Sequence, residues 1–399
     1  MNQPQLFDVA EEFESEDDSY FDSKNLVAGI MVTDTDWTTE TILNQISKEN
    51  IYLNPSFQRR EAWDDKRKSK FIESLILGIP IPQLVIAENK NAKGKFLVID
   101  GKQRLLALMR FTGANQSKPL KLKGLEIRSD LNGKTFDSLK SDPDYYEDVS
   151  AFENSNIRTT VIKGWKDERA LYLIFLRLNS GSVALSPQEL RHALHPGKFI
   201  DFAVNFSEQS PELIGLLGKD GKPDFRMRDV ELLIRFYGLR LFLNDYKGDL
   251  KYFLDQTVDG LNKTWESREK ELRDLASQFE RAITFTRPIF DKNAYSKWIG
   301  NGFESRFNRA VFDAMCYYFA NEEVRHEIVE KNLEKNVLQA FKSLCESNAD
   351  FIKSIESTTK SKTAVFTRLV AWGEVLESTL KKSIPELTMV RTSMQEDEL

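Results

Sequence analysis

The chain has 399 residues, 41% of them hydrophobic and 11% aromatic, which is enough for two domains and too apolar for a disordered polymer. No apolar run reaches the roughly 18 residues of a membrane-spanning helix, and Met1-Asn2-Gln3-Pro4 lacks the basic and apolar regions of a signal peptide, so the expected compartment is the cytoplasm and no membrane partner is expected. The net charge of −6 is concentrated in residues 8–23, where eight acidic residues meet no base, leaving the remainder near +2 (−6 + 8); this excludes a strongly basic, nonspecific DNA binder while leaving nucleic acid open.

Residues 1–25 read as an acidic, solvated leader. The alternative is a DNA mimic that shields a binding groove. Residues 39–48 read as a short helix with Thr39 as its cap and Ile42, Leu43 and Ile46 on one face. Ile51-Tyr52-Leu53-Asn54 is extended and stops at Pro55. Asp64-Asp65 opens a second helix with a stripe of Phe71, Ile72, Leu75 and Ile76. Gly78 suits the left-handed residue after it, and Pro80 blocks continuation. Residues 84–87 and 96–99 read as buried strands joined in a hairpin. The second runs into Asp100-Gly101, and Leu105, Leu106, Leu108, Met109 and Phe111 then follow a helical period up to Thr112-Gly113.

Residues 114–165 are mixed, and from Asp167 the period is helical. One helix is expected over 167–178. Ser186-Pro187-Gln188-Glu189 is a complete helix start, with Ser as N-cap, Pro at the first position and Glu at the capping-box position. Further helices are expected near 227–243, 264–285, 303–320, 322–345 and 361–381. Phe303, Phe307, Val311, Met315 and Tyr318 have the spacing of a helical core face. The fold class is α+β: a small α/β head over 26–115, a connecting segment over 116–166, and a mostly α-helical body over 167–399.

A strand, a glycine turn and a helix start together form an anion-binding device. The first helical turn has unpaired N–H groups and the positive end of the dipole. Gly101 lets a phosphate approach the backbone, Lys102 and Arg104 supply charge, and Gln103 supplies an amide. Asp100 is a candidate Mg²⁺ ligand, with a plain helix cap as the alternative. A second cluster, Phe57-Gln58-Arg59-Arg60-Glu61-Ala62-Trp63, follows the first strand of the head. Paired strands in so small a head bring this loop and the Asp100 turn to the same edge, where two Gln-Arg pairs converge as in a phosphate site.

At this point the sequence resembles a known family. Pro55-x-x-Gln58-Arg59-x-x-x-Trp63, residues 71–82 (FIESLILGIPIP) and Ile99-Asp100-Gly101-Lys102-Gln103-Arg104-Leu105 are similar to the ParB-like N-terminal domain of GmrSD-type restriction endonucleases, domain of unknown function family 262. Residues 175–181 (FLRLNSG) with 185–191 (LSPQELR), Arg228-Asp229-x-Glu231, and Phe307-Asn308-x-Ala310-x-Phe312-Asp313 extend the resemblance. It implies a ParB/sulfiredoxin-like head. It also implies an Asp-Gly-Gln-Gln-Arg motif tied to binding and hydrolysing a nucleoside triphosphate (ATP, GTP or CTP) with Mg²⁺. The implied setting is prokaryotic defence against phage, often through recognition of modified DNA. Asp100, Gly101, Gln103 and Arg104 match that motif, and Gln58 and Arg59 match the upstream pair. Lys102 stands where the family has Gln, which keeps phosphate affinity but exchanges a neutral amide for a cation.

On this reading Asp100, Gln103 and Arg104 are the catalytic candidates. Gln58, Arg59, Gly101, Lys102 and Arg104 hold the nucleotide. Trp63, Arg177, Asn179, Glu189 and Arg191 stand behind them; a simple helix stop at Asn179-Ser180-Gly181 is the alternative for that segment. The family pairs its head with an HNH nuclease, which needs a His base and clustered metal ligands. His192, His195 and His326 do not supply them, so DNA cutting is expected from a separate nuclease or defence partner. Cys316 and Cys345 are remote from the turn, which excludes sulfiredoxin chemistry. The alternatives are a non-enzymatic DNA- or partner-binding module and a direct nuclease using the ParB-like site. A homo-oligomer is compatible with all three.

Overall fold

The computed structural model describes residues 29–53, 62–90, 92–114, 117–168, 170–171, 173–174 and 186–395. They fall into two units, Tyr20–Leu194 and His195–Leu399. The expected leader over 1–25 and most of the expected 167–178 helix lie outside the described residues.

The N-terminal unit is built on one mixed sheet. Its strands are β1 (Met31–Thr38), β2 (Ile51–Tyr52), β3 (Leu84–Asn89), β4 (Ala92–Asp100) and β5 (Asn156–Lys163), in the order β1-β5-β3-β4-β2. β3 and β4 form the expected antiparallel hairpin, β3 runs parallel to β5, and β1 pairs antiparallel with β5. β2 pairs parallel with β4 through Ile51↔Phe96 and Tyr52↔Leu97. Residues 116–166 therefore supply a full strand to the sheet, in addition to linking the head to the helical body. Ile157, Thr159 and Val161 alternate inward on one face of β5, the period-two pattern of a strand, and Ile162 is buried on the other.

One face of the sheet is covered by α1 (Thr39–Ser47), α2 (Asp65–Ile76), α3 (Lys102–Thr112) and α5 (Tyr146–Asn154). α4 (Phe136–Lys140) packs Phe136 against Phe111 and Phe152. Their shared core runs from Ile42 and Ile72 through Leu105, Leu108 and Phe111 to Phe152. The cap of α1 is Thr38, not Thr39: its hydroxyl accepts from Thr41 N at 3.1 Å, while Thr39 is buried at the first helical position. α2 starts as expected, with Asp64 accepting from Arg67 N at 2.7 Å. The other face carries α6 (Pro187–Leu194), whose Leu190 packs with Val85, Leu97, Ile99 and Trp165.

The second unit is helical. Its elements are α7 (Lys198–Gln209), α8 (Pro211–Leu217), α9 (Arg228–Leu241), α10 (Leu250–Phe290), α11 (Arg309–Phe319), α12 (Glu322–Glu330), α13 (Glu334–Ser347), α14 (Ala349–Glu356), α15 (Lys362–Leu380) and α16 (Pro385–Gln395). The sequence reading changes in three places. The helix expected at 264–285 is the middle of α10, which has 41 residues. The helix expected at 303–320 starts only at Arg309, because Asn308 caps it through Val311 N and Phe303 is bridged to Trp298. Phe303 and Phe307 are thus outside the helix, while Val311, Met315 and Tyr318 are buried as expected. The helix expected at 322–345 breaks into α12 and α13 at Asn332, whose φ is 53°.

Asp313 on α11 ties this unit together. Its carboxylate accepts from Arg235 of α9 through both oxygens, with Nε at 3.0 Å, and lies 3.4 Å from Nη2 of Arg368 on α15. All three side chains are buried. Low dielectric strengthens such a cluster but makes it costly to break.

Candidate functional site

The geometry of the Asp100–Arg104 turn follows from the sheet. β4 ends at Asp100, and Val85 at the start of β3 is its register partner. Gly101 then turns the chain with φ 100° and serves as N-cap of α3 without a side-chain cap bond. Asp100 therefore does not cap the helix. Gly101 is required twice over: its φ lies in the left-handed region, and a Cβ there would stand 2.3 Å from Leu84 Cδ2.

Arg104 folds back over this glycine. Its Nη2 donates to Asp100 Oδ2 and to the carbonyl of Gln83, both at 2.9 Å. The side chain is buried, and its Nε has no hydrogen-bond partner among the described residues. The backbone N–H of Arg104 bonds to Gly101 O at 3.0 Å. The N–H groups of Lys102 and Gln103 precede the first acceptor that the helix itself offers.

Lys102 points elsewhere. Its ammonium donates to Glu189 Oε1 of α6, and both residues are buried. Glu189 also completes the expected capping box: Ser186 N donates to Glu189 Oε2 at 2.6 Å, and Glu189 N donates to Ser186 Oγ at 3.0 Å. Arg191 donates to Gln188 Oε1 at 2.6 Å within α6.

Gln103 anchors the chain just ahead of α2. Its Oε1 accepts from the N–H groups of Ala62 and Trp63, both at 3.2 Å. Trp63 packs edge-on against Phe71 at 5.7 Å, with Arg67 stacked at 4.9 Å on its ring. β2 runs parallel to β4, so both strands point toward the Gly101 end of the sheet, and Ala62 and Trp63 are fastened at Gln103. Gln58 and Arg59, between β2 and Ala62 in sequence, lie outside the described residues, as do Arg177 and Asn179.

Of the expected site residues, the structure gathers Asp100, Gly101 and Arg104 into one contact set. It gathers Lys102 and Glu189 into a second, and Gln103 and Trp63 into a third. Two contributors were not read from the sequence, Gln83 and Leu84. Gln83 acts through its backbone carbonyl and Leu84 through its shape, so residue type carries no signal for either.

His192 is buried on α6, and His195 and His326 belong to the second unit. His195 Nδ1 sits 2.9 Å from Asp259 Oδ1 on α10, and its Nε2 is 3.8 Å from Asp255. His326 faces Glu330 within α12. Cys316 and Cys345 are free and buried in the second unit, and burial pushes the Cys345 thiol up to about 11. Among the described residues no group of three or more His, Cys, Asp or Glu could hold a metal ion. No helix among them is long and apolar enough to cross a membrane.

The Tyr20–Leu194 unit is an α+β domain in which β4 of a mixed sheet runs through the Gly101 turn into α3. Residues 39–196 match the family model described as GmrSD restriction endonuclease, N-terminal domain, so this part of the chain is similar to the N-terminal domain of a restriction-type defence family. No curated protein shows significant similarity to the chain.

Proposed function

We propose that the Tyr20–Leu194 unit binds a nucleoside triphosphate by its phosphates at the Gly101 turn and hydrolyses it, and that the chain acts on DNA with a separate nuclease or other defence protein. The observation that carries the phosphate reading is Arg104. It is 5% exposed, lies over a glycine that leaves the backbone bare, and has an Nε with no partner among the described residues. A guanidinium beside the backbone N–H groups of a helix's first turn is a receptor for phosphate oxygens. Asp100 offers one carboxylate, with Oδ2 held by Arg104. A single carboxylate together with nucleotide phosphates is the donor set that Mg²⁺ favours, so Asp100 fits this ion. When bound, Mg²⁺ would neutralise phosphate charge. Gln103 would hold Ala62 and Trp63 beside α3, and Gln58 and Arg59 are proposed as further phosphate ligands. Phosphate release from ATP, GTP and CTP, with and without DNA, tests hydrolysis. Turnover no higher than in Asp100→Ala overturns it.

The commitment of Lys102 to Glu189 favours a second reading, a binding module that does not turn over. Equilibrium binding of labelled nucleotide without phosphate release is its signature.

The DNA half of the reading is supported by charge on the same unit. Lys66, Arg67, Lys118 and Lys121 are exposed and make no ion pair with a described carboxylate. Lys123, beside them, is held to α2 by its N–H on Ser69 Oγ at 3.0 Å and its ammonium 3.3 Å from Asp65. Lys118 is fixed by its carbonyl, which accepts from Arg110 Nε at 2.6 Å. Although the chain is acidic as a whole, this strip is cationic, and cationic strips track phosphodiester backbones. Reversing these four charges is expected to weaken duplex DNA binding and flatten its salt dependence by about 0.9 log units for each phosphate no longer neutralised. Unchanged affinity and slope overturn this placement.

A further inference from the structure

The cations of the Gly101 turn are already matched by the protein's own carboxylates. Arg104 is paired with Asp100, its neighbour one helical turn back. Lys102 is paired with Glu189, which comes from the far side of the sequence, and the two are 4% and 3% exposed. The two oxygens of Glu189 do different work. Oε1 takes the ammonium of Lys102, and Oε2 takes the N–H of Ser186 and so starts α6. The site that would receive phosphate is thus joined, through one carboxylate, to the first turn of a second helix.

Resting on the phosphate reading above, we propose that Glu189 is a built-in counter-ion that sets polyphosphate affinity, displaced from Lys102 when phosphate arrives. A buried ammonium is not left unpaired, so Lys102 changes partners only for a group that brings more charge than one carboxylate. A triphosphate exceeds that charge severalfold and a single phosphate only slightly, which makes the pair a filter for chain length as well as a brake on affinity. Release of Lys102 frees the Glu189 side chain. The capping bond to Ser186 then loses its fixed geometry, so occupancy of the turn is reported to the start of α6.

Glu189→Gln separates these roles, because glutamine keeps the capping acceptor while losing the charge. Binding of ATP, GTP, CTP, inorganic tripolyphosphate and inorganic phosphate is measured on the full chain, with urea unfolding to establish that each variant is folded. The expected result is that Glu189→Gln binds tripolyphosphate about tenfold more tightly and discriminates less against phosphate. Lys102→Gln is expected to bind more weakly, and Lys102→Gln with Glu189→Gln to match Lys102→Gln alone. A folded Glu189→Gln that binds no more tightly than wild type overturns the proposal. Should that variant not fold, hydrogen exchange of the Ser186 amide in the wild type decides. Faster exchange on saturation with tripolyphosphate supports the displacement, and unchanged or slower exchange overturns it. If the wild type binds none of these probes at millimolar concentration, the phosphate reading itself fails and this inference with it. Binding without a Glu189 effect removes the inference alone.

Discussion

Arg104 lies over Gly101, with Nη2 3.1 Å and Nε 3.3 Å from the point where a Cβ on that glycine would stand. The same point is 2.3 Å from Leu84 Cδ2. Any side chain there must push Leu84 out of the core, displace the guanidinium, and accept a φ of 100°. Gly101→Ala is therefore expected to cost about 1–3 kcal/mol and to remove nucleotide binding even where the protein stays folded. Urea unfolding with a binding titration on the folded fraction checks both. Wild-type affinity in a folded Gly101→Ala would remove Arg104 and its turn from the site.

Gln103 makes a different prediction from the one its residue type suggests. Its Oε1 accepts two backbone N–H groups, from Ala62 and Trp63, so its first effect is on structure. Gln103→Ala leaves both donors without their acceptor, at about 1–3 kcal/mol in total. Gln103→Glu keeps the acceptor and should retain most of the stability. Trp63 is the natural probe, because its ring packs on Phe71 beside those bonds. Its fluorescence is expected to change in the alanine variant and not in the glutamate one. The opposite order would show that the amide nitrogen, not the oxygen, carries the role of Gln103.

How much of this was legible beforehand depends on the reach of each interaction. The hairpin, the α2 and α3 boundaries and the Ser186 start were readable because caps, glycines and periodicity act within a few residues of one another. Gly101 was readable as a turn, but not as the surface on which Leu84 and Arg104 both lie. That contact depends on the β3–β4 register. Lys102 looked like a free phosphate ligand because nothing local reveals Glu189, which is distant in sequence and brought near by α6 packing on the sheet. The same limit hid the place of β5. A short alternating strand after a helix gives no hint that it will insert between β1 and β3. The break at Asn332 was missed because apolar periodicity continues across it while the backbone does not.

In the helical unit the most sensitive position is expected to be Asp313. Removing its carboxylate by Asp313→Ala leaves Arg235 and Arg368 buried without the group both of them face. Breaking a buried pair in this way costs about 3–5 kcal/mol. Asp313→Asn keeps the shape but not the charge, so it should fall between alanine and wild type. Thermal or urea unfolding followed by far-ultraviolet circular dichroism reads the order. An alanine variant as stable as wild type would show that the cluster is not a keystone for α9, α11 and α15.

Alkaline pH is expected to destabilise this unit. Burial pushes the phenols of Tyr246 and Tyr317 up to about 12 from an ordinary 10.0. Tyr237, Tyr295 and Tyr318 are driven up further by the same cause. The folded state thus holds protons that the unfolded chain gives up from about pH 10 onward. A raised folded pKa contributes stability that is fully present below the unfolded value and is lost as pH rises through the folded one. For Tyr246 the window runs from about 10 to about 12, and a shift of that size is worth about 2–3 kcal/mol across it. The urea midpoint is therefore expected to hold steady at neutral pH and fall steeply above about 10. Tyr246→Phe loses the bond from its hydroxyl to Lys360 O, about 1 kcal/mol at neutral pH, and in exchange should show a shallower alkaline slope. Equal slopes in Tyr246→Phe and wild type would assign the alkaline loss to the other buried phenols.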